Sequence, residues 1–266
     1  MRSVHTVFNS LKQQRPPLRA LIFLFLALLL TASTFALPQL PDGRRILPPP
    51  PARGSTAEAL DMAVFTQTRA LQGTERWALA IRDDRLSPAH ILEAFSCAAG
   101  MRMDARKTPR LAALLGTYRD ALRPIVSVEK NDWKRPRPYA QTDAPVCLDT
   151  FDKYRLGYSY PSGHATFSWA AASLLAELMP DRAAAIFQRA RVFGESRIVC
   201  GVHWKSDVQA GWLNGAVMFR ALQADRSISS QMGAVKREVA EARRTPQSPE
   251  PQSCAVEQAA ANMRIE

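Results

Sequence analysis

Three short segments carry side chains suited to holding and cleaving a phosphate-like anion. The first runs from Lys130 through Trp133, Lys134, Arg135 and Pro136 to Arg137-Pro138. An arginine fork binds two oxygens of such an anion, and a lysine adds a compact positive charge. Arg135 and Arg137 each precede a proline, which favours extended backbone. That geometry would turn Arg137 back toward a point Lys130 also reaches. The second segment is Tyr160-Pro161-Ser162-Gly163-His164. Ser162 suits a helix N-cap, and Gly163 lets an anion come close to the backbone. The free N–H groups of Gly163 and His164 at a positive helix end would attract it. His164 would then project beside the bound group. The third segment holds Arg197, His203 and Asp207. Four-residue spacing puts His203 and Asp207 on one face if that turn is helical. A carboxylate on Nδ1 fixes the imidazole tautomer and raises the basicity of Nε2, which makes a nucleophile or a base.

Each segment alone also fits a bland reading: a solvated basic loop, a capped helix, a core histidine. Together they point to one site. Of the 4 histidines in the chain, His164 and His203 fall in these segments and His5 in a basic leader. His90 sits on a predicted helix without a partner pattern and reads as surface or structural. No segment has metal-ligand spacing, so neither a metal nor another cofactor is expected.

The elements that must position these residues read as helices. Ser87-Pro88 and Thr108-Pro109 each pair a capping residue with proline at the first helical position. Ile91, Leu92, Phe95 and Ala98 make one apolar stripe; Leu111, Leu114, Leu115, Tyr118 and Leu122 make another. Pro124 should end or kink the second helix. Further helices are predicted from His164 to Met179, from Asp181 to about Phe193, and from Ser206 to Ala224. No stretch alternates polar and apolar residues for long. The expected fold is therefore all-α, with few or no strands.

In combination, Lys130-x6-Arg137-Pro138, Pro161-Ser162-Gly163-His164 and Ser196-Arg197-x5-His203-x3-Asp207 resemble the tripartite signature of the type 2 phosphatidic acid phosphatase superfamily. Within it, Gly194-Glu195-Ser196-Arg197 and Cys200-Gly201-Val202-His203-Trp204 are similar to the bacterial class A nonspecific acid phosphatases. Tyr158 and Ala165 depart from that class, which has glycine and threonine there. The resemblance implies a single helical domain around a four- or five-helix core and a metal-independent acid phosphatase acting on small phosphomonoesters. It implies that Lys130, Arg137, Ser162, Gly163 and Arg197 bind phosphate, with His203 as nucleophile, Asp207 orienting it, and His164 as acid and then base. Tyr158, Tyr160 and Trp204 are candidate pocket-lining residues. A vanadium-dependent haloperoxidase would share this pocket, and a non-catalytic phosphate-binding protein is the reading from a different class.

The two ends of the chain bound the context. Residues 1–36 read as a signal peptide, with Arg2, Lys12, Arg15 and Arg19 before an uncharged run from Ala20 to Leu37 and small residues around Ala36. An uncleaved membrane anchor is the alternative. Residues 37–54 are a proline-rich linker or an arm lying on the domain, 55–240 the helical domain, and 241–266 a polar tail expected to be disordered. Periplasmic or secreted placement follows, and the 4 cysteines then favour disulfides. Sequence leaves their pairing open, and Cys254 in the polar tail has no evident partner. The formal charge of +11 suits a cationic pocket; without a long basic run, nucleic acid is not an expected partner. A homo-oligomer is compatible with the class A resemblance.

Overall fold

The computed structural model describes residues 40–147 and 157–265. Ten α-helices form: α1 (Thr56–Thr68), α2 (Glu75–Arg82), α3 (Pro88–Ala94), α4 (Ser96–Ala99), α5 (Pro109–Trp133), α6 (Gly163–Leu178), α7 (Ala183–Val199), α8 (Lys205–Ala224), α9 (Arg226–Ala242) and α10 (Pro251–Asn262), with no strand among the described residues. The all-α reading holds.

Local sequence sets several helix starts. Ser55, Thr74, Ser87 and Ser162 sit in extended backbone, and each accepts a hydrogen bond from the N–H three residues on. Thr108 was expected to do the same for α5. Its hydroxyl instead donates to Asp104 O at 3.0 Å. Glu238 of α9 caps α5 in its place, accepting from the N–H groups of Arg110 (3.0 Å) and Leu111 (2.9 Å). Pro124 does not end α5, which runs on to Trp133. Asp120 and Pro124 are exposed while Leu122 and Val126 are buried. The carbonyl that loses its partner to proline can thus be hydrated, and the core holds the helix on both sides.

Helix α6 is the centre. Ala165, Thr166, Phe167, Ser168, Ala170, Ala171, Ala172, Leu174 and Leu175 are all buried, so this helix is enclosed rather than one-faced. It packs most extensively on α8 and α7, and also on α5. Small side chains permit the close α6–α8 contact. A Cβ on Gly211 would lie 2.6 Å from Ser162 O and 2.7 Å from Ala165 Cβ, and one on Gly215 would lie 2.4 Å from Thr166 O. Ala165, one of the two departures from class A, therefore sits where two backbones nearly touch. The stripes on α3, α4 and α5 fill the main core with Phe193 and Met218. Helix α7 continues six residues beyond the expected Phe193, to Val199. Its polar residues Glu195, Ser196 and Arg197 are buried; Ser196 and Arg197 find partners across the fold in Asp83 and Asp84, and Glu195 pairs with Arg191 one turn back on the same helix, which sequence periodicity does not reveal.

The ends differ from expectation in part. The proline-rich arm lies on the domain: Leu47 is buried, and the Tyr160 hydroxyl donates to Pro48 O. The tail is not disordered. Residues 251–262 form α10, which packs on α7 and α2, and Cys254 is bonded to Cys97. Arg191 donates to Ala261 O at 2.6 Å, and Glu257 pairs with buried Arg189 at 3.3 Å. A covalent tie and buried charge partners hold a segment whose composition alone would not order it. Cys147 bonds Cys200. The expected signal peptide lies outside the described residues. Among the described residues no helix is long and apolar enough to cross a membrane.

Candidate active site

The three segments meet where α5, α6 and α8 begin or end. At the C-terminus of α5, Lys134 takes a left-handed conformation (φ 48°). The chain then runs through Arg135 to Arg137, which is extended (φ −78°, ψ 158°), as the two X-Pro steps require. This reversal brings Arg137 back beside Lys130. Both cations rest on the segment preceding α6. Lys130 Nζ donates to Tyr158 O (2.8 Å) and Ser159 O (3.0 Å), while Arg137 Nε donates to Gly157 O (3.0 Å). A lysine ammonium has three donors, so one N–H of Lys130 remains for a ligand.

The α6 N-terminus provides the backbone part. The Tyr160–Pro161 peptide is cis. Ser162 Oγ accepts from Ala165 N (3.3 Å), and Ser162 N donates to Asp207 O (2.9 Å). The next two N–H groups, of Gly163 and His164, precede the intrahelical ladder and have no acceptor within it.

His203 lies just before α8, and Asp207 lies in its first turn. Asp207 Oδ2 accepts from Trp204 N (2.9 Å) and faces His203 Nδ1 at 3.1 Å. On its other side, His203 Nε2 lies 3.1 Å from Arg137 Nη1. A guanidinium donates and never accepts, so Nε2 must carry the lone pair and Nδ1–H must point to Asp207. The tautomer is thus set by two charged neighbours of opposite sign. Burial lowers the His203 pKa well below its ordinary value, and the positive charges of Arg137, Lys130 and Arg197 lower it further. The ring is held neutral, with its Nε2 lone pair turned to Arg137. Lys130 is likewise lowered by burial and by Arg137.

Arg197 is fully buried. Its Nη2 donates to Asp84 Oδ1 at 2.8 Å, while Nε and Nη1 have no hydrogen-bond partner among the described residues. Two orphaned donors of a buried guanidinium beside Lys130, Arg137 and the α6 N-terminus fit an oxyanion.

The family model described as the PAP2 superfamily matches residues 112–227, a span that contains all of these residues from Lys130 to Asp207. An acid phosphatase from Zymomonas mobilis is 43% identical over 216 residues, covering 80% of this chain and 81% of that protein. A non-specific acid phosphatase from Providencia stuartii is 33% identical over 75% of this chain and 81% of its own length. One from Salmonella typhimurium is 32% identical over 73% and 78%, respectively.

The chain belongs to the PAP2 superfamily. Within it, the chain stands with the acid phosphatases.

This PAP2 enzyme also uses residues that sequence reading missed. Asp84, just after α2, links two of the three segments. Besides its bond to Arg197, its backbone carbonyl lies 2.8 Å from His164 Nε2 and its carboxylate 3.5 Å away. A carbonyl only accepts, so Nε2 of His164 carries a proton and Nδ1 is the atom left to exchange one. Burial and Arg197 lower the His164 pKa, and Asp84 partly offsets them. Asp61 and Arg135 form a second layer. Arg135 donates to Asp207 Oδ1 (2.7 Å), Ser206 Oγ (2.6 Å) and Asp61 Oδ2 (2.6 Å). Asp61 accepts from Ser206 N at 2.8 Å. Burial pushes the Asp207 pKa up, and Arg135 opposes that shift. The RPRP repeat held the signal for Arg135, whereas Asp61 and Asp84 lie too far away in sequence for spacing to flag them.

Two of the candidate lining residues serve the scaffold. Trp204 is buried and donates from Nε1 to Pro136 O at 2.9 Å. Tyr160 is buried edge-on against Trp133, with centroids 5.8 Å apart. Tyr158 is exposed and supplies a carbonyl to Lys130. His90 is buried rather than on the surface, 3.5 Å from Glu93.

Proposed function

We propose that this chain is an exported acid phosphatase that hydrolyses small phosphate monoesters through a phosphohistidine on His203, without a metal ion. The observation that carries the mechanism is the His203 tautomer: a buried, neutral ring whose Nε2 lone pair faces a cluster of cations.

Lys130, Arg137 and Arg197, with the Gly163 and His164 N–H groups and the Ser162 hydroxyl, hold the non-bridging oxygens and neutralise their charge. Positioning and charge neutralisation supply most of what phosphoryl transfer needs. His203 Nε2 attacks phosphorus as the bond to the leaving oxygen breaks. Asp207 stabilises the positive imidazole that forms. The leaving oxygen takes a proton from Nδ1 of His164. Water then enters opposite the phosphohistidine, His164 Nδ1 takes its proton, and the N–P bond breaks to release inorganic phosphate and neutral His203.

An acidic optimum follows. His164 must begin protonated, and in the free enzyme its pKa lies below the ordinary histidine value. The two disulfides favour an oxidising compartment, in line with the leader-like N-terminus.

The test is hydrolysis of a chromogenic aryl phosphate across pH with excess chelator, beside His203→Ala. The expected result is chelator-resistant activity that the variant loses. It should be accompanied by an acid-labile, alkali-stable phosphoprotein trapped on the wild type. Undiminished activity in His203→Ala would overturn the nucleophile assignment.

A further inference from the structure

Three of the site residues, Lys130, Gly163 and His164, line a cleft of about 670 Å³. A phosphate held by Lys130 and Gly163 would direct its leaving group into this space, where His164 also lines the wall. Leu86, Leu122, Val126 and Phe167 make much of its wall apolar, with Ser87 and Ser127 among them. Toward the N-terminal side of α5, away from Lys130, the lining also includes Arg119 and Arg123. On α5 the series Arg119, Arg123, Val126 and Lys130 has steps of four, three and four residues, which keeps all four on one helical face. Arg123 is two turns from Lys130, about 10 Å along the axis.

The charges at this end are unequally answered. Arg119 pairs with its neighbour Asp120 at 2.9 Å. For Arg123, no carboxylate lies within ion-pair distance among the described residues. An apolar passage with one end at the cationic phosphate site and the other at an unanswered guanidinium is matched to a ligand charged at both ends.

Resting on the phosphatase reading of the same site, we propose that Arg123, assisted by Arg119, selects phosphate monoesters whose leaving group carries a second anionic group roughly two helical turns from the phosphorus. The preferred substrate is an ω-anionic ester with an apolar middle.

A matched series tests this on the full chain: hexyl phosphate, 6-(phosphonooxy)hexanoate and 6-aminohexyl phosphate, with phenyl phosphate as reference. The expected kcat/KM for the carboxylate ester is about twofold to fivefold above that for hexyl phosphate, in keeping with exposed charge pairs. The ratio should shrink at high salt and fall to about one in Arg119→Ala/Arg123→Ala. Arg123→Glu should shift the preference to the ammonium ester. A wild-type ratio near one, or a ratio that survives the double substitution, overturns the proposal. Hydrolysis of phenyl phosphate alone also overturns it, because the cleft would then not admit such chains. If phenyl phosphate itself is not hydrolysed, the phosphatase reading fails first and takes this proposal with it.

Discussion

Replacing Asp84 by asparagine separates charge from geometry. Asparagine is nearly the same size and can still accept from Arg197 Nη2 through its side-chain carbonyl. The contact between His164 Nε2 and the backbone carbonyl of residue 84, at 2.8 Å, needs no side chain at all. What disappears is a negative charge 3.5 Å from His164. At an effective dielectric constant of about 20, that pair is worth at most about 5 kcal/mol. Asp84 is 27% exposed and shares its charge with Arg197. A realistic remainder is about 1–2 kcal/mol, or roughly one pKa unit. The sign is fixed: Asp84 raises the His164 pKa, so its removal lowers it. Catalysis needs protonated His164 and fails as pH rises through that pKa, so the alkaline limb should move to lower pH by about one unit. The assay is kcat/KM for one aryl phosphate from pH 4 to 9 in both proteins, so that substrate ionisation is common to both. The loss at neutral pH should approach about tenfold, and it should be much smaller below both pKa values. An unmoved limb, or an equal loss at every pH, would refute His164 as the acid tuned by Asp84.

Asp207→Asn should cut kcat by about 10²–10⁴-fold, because an amide can hold the wrong tautomer of His203; steady-state kinetics with a folding check by circular dichroism tests this. Gly211→Ala would push a methyl to within 2.6 Å of Ser162 O and should cost about 1–3 kcal/mol of stability, with lost activity because Ser162 must shift. A wild-type melting temperature in Gly211→Ala would contradict the close α6–α8 contact. Cys97→Ser/Cys254→Ser should lose about 2–4 kcal/mol with little change in kcat/KM, since neither cysteine is among the residues lining the cleft. Thermal melts and assays on the same preparation check both halves of that expectation.

The sequence was most informative where chemistry and local structure coincide. Ser162 as a cap, the extended arginine at 137 and the His203–Asp207 pair all depend on neighbours within a few residues. What escaped it depends on partners far along the chain. Asp84 finds Arg197 across 113 residues and Asp61 finds Arg135 across 74, and neither spacing carries a periodic signal. The same limit explains α7 and α10. Buried Arg189 gains Asp83 and Glu257, and the tail gains Cys97, so polarity that reads as exposure or disorder is satisfied inside. Tyr160 and Trp204 show the converse: aromatic residues beside the motif pack into the frame, while the wall of the cleft comes from helices α5 and α6 and the loop before α3.

Lys130, Arg137 and Arg197 lower the His203 pKa together, and Arg137 and Arg197 also depress Lys130. That repulsion adds to the larger effect of burial, and Asp207 and Glu129 oppose it in part at Lys130. Substituting one of these cations with a neutral residue of similar shape would relieve it. Selection for heat tolerance alone would therefore drift toward proteins that keep the fold and lose the reaction. Inorganic phosphate gives the same relief without a mutation. It stabilises the enzyme by filling the site it must vacate, so the product that protects the fold is also the one that slows turnover.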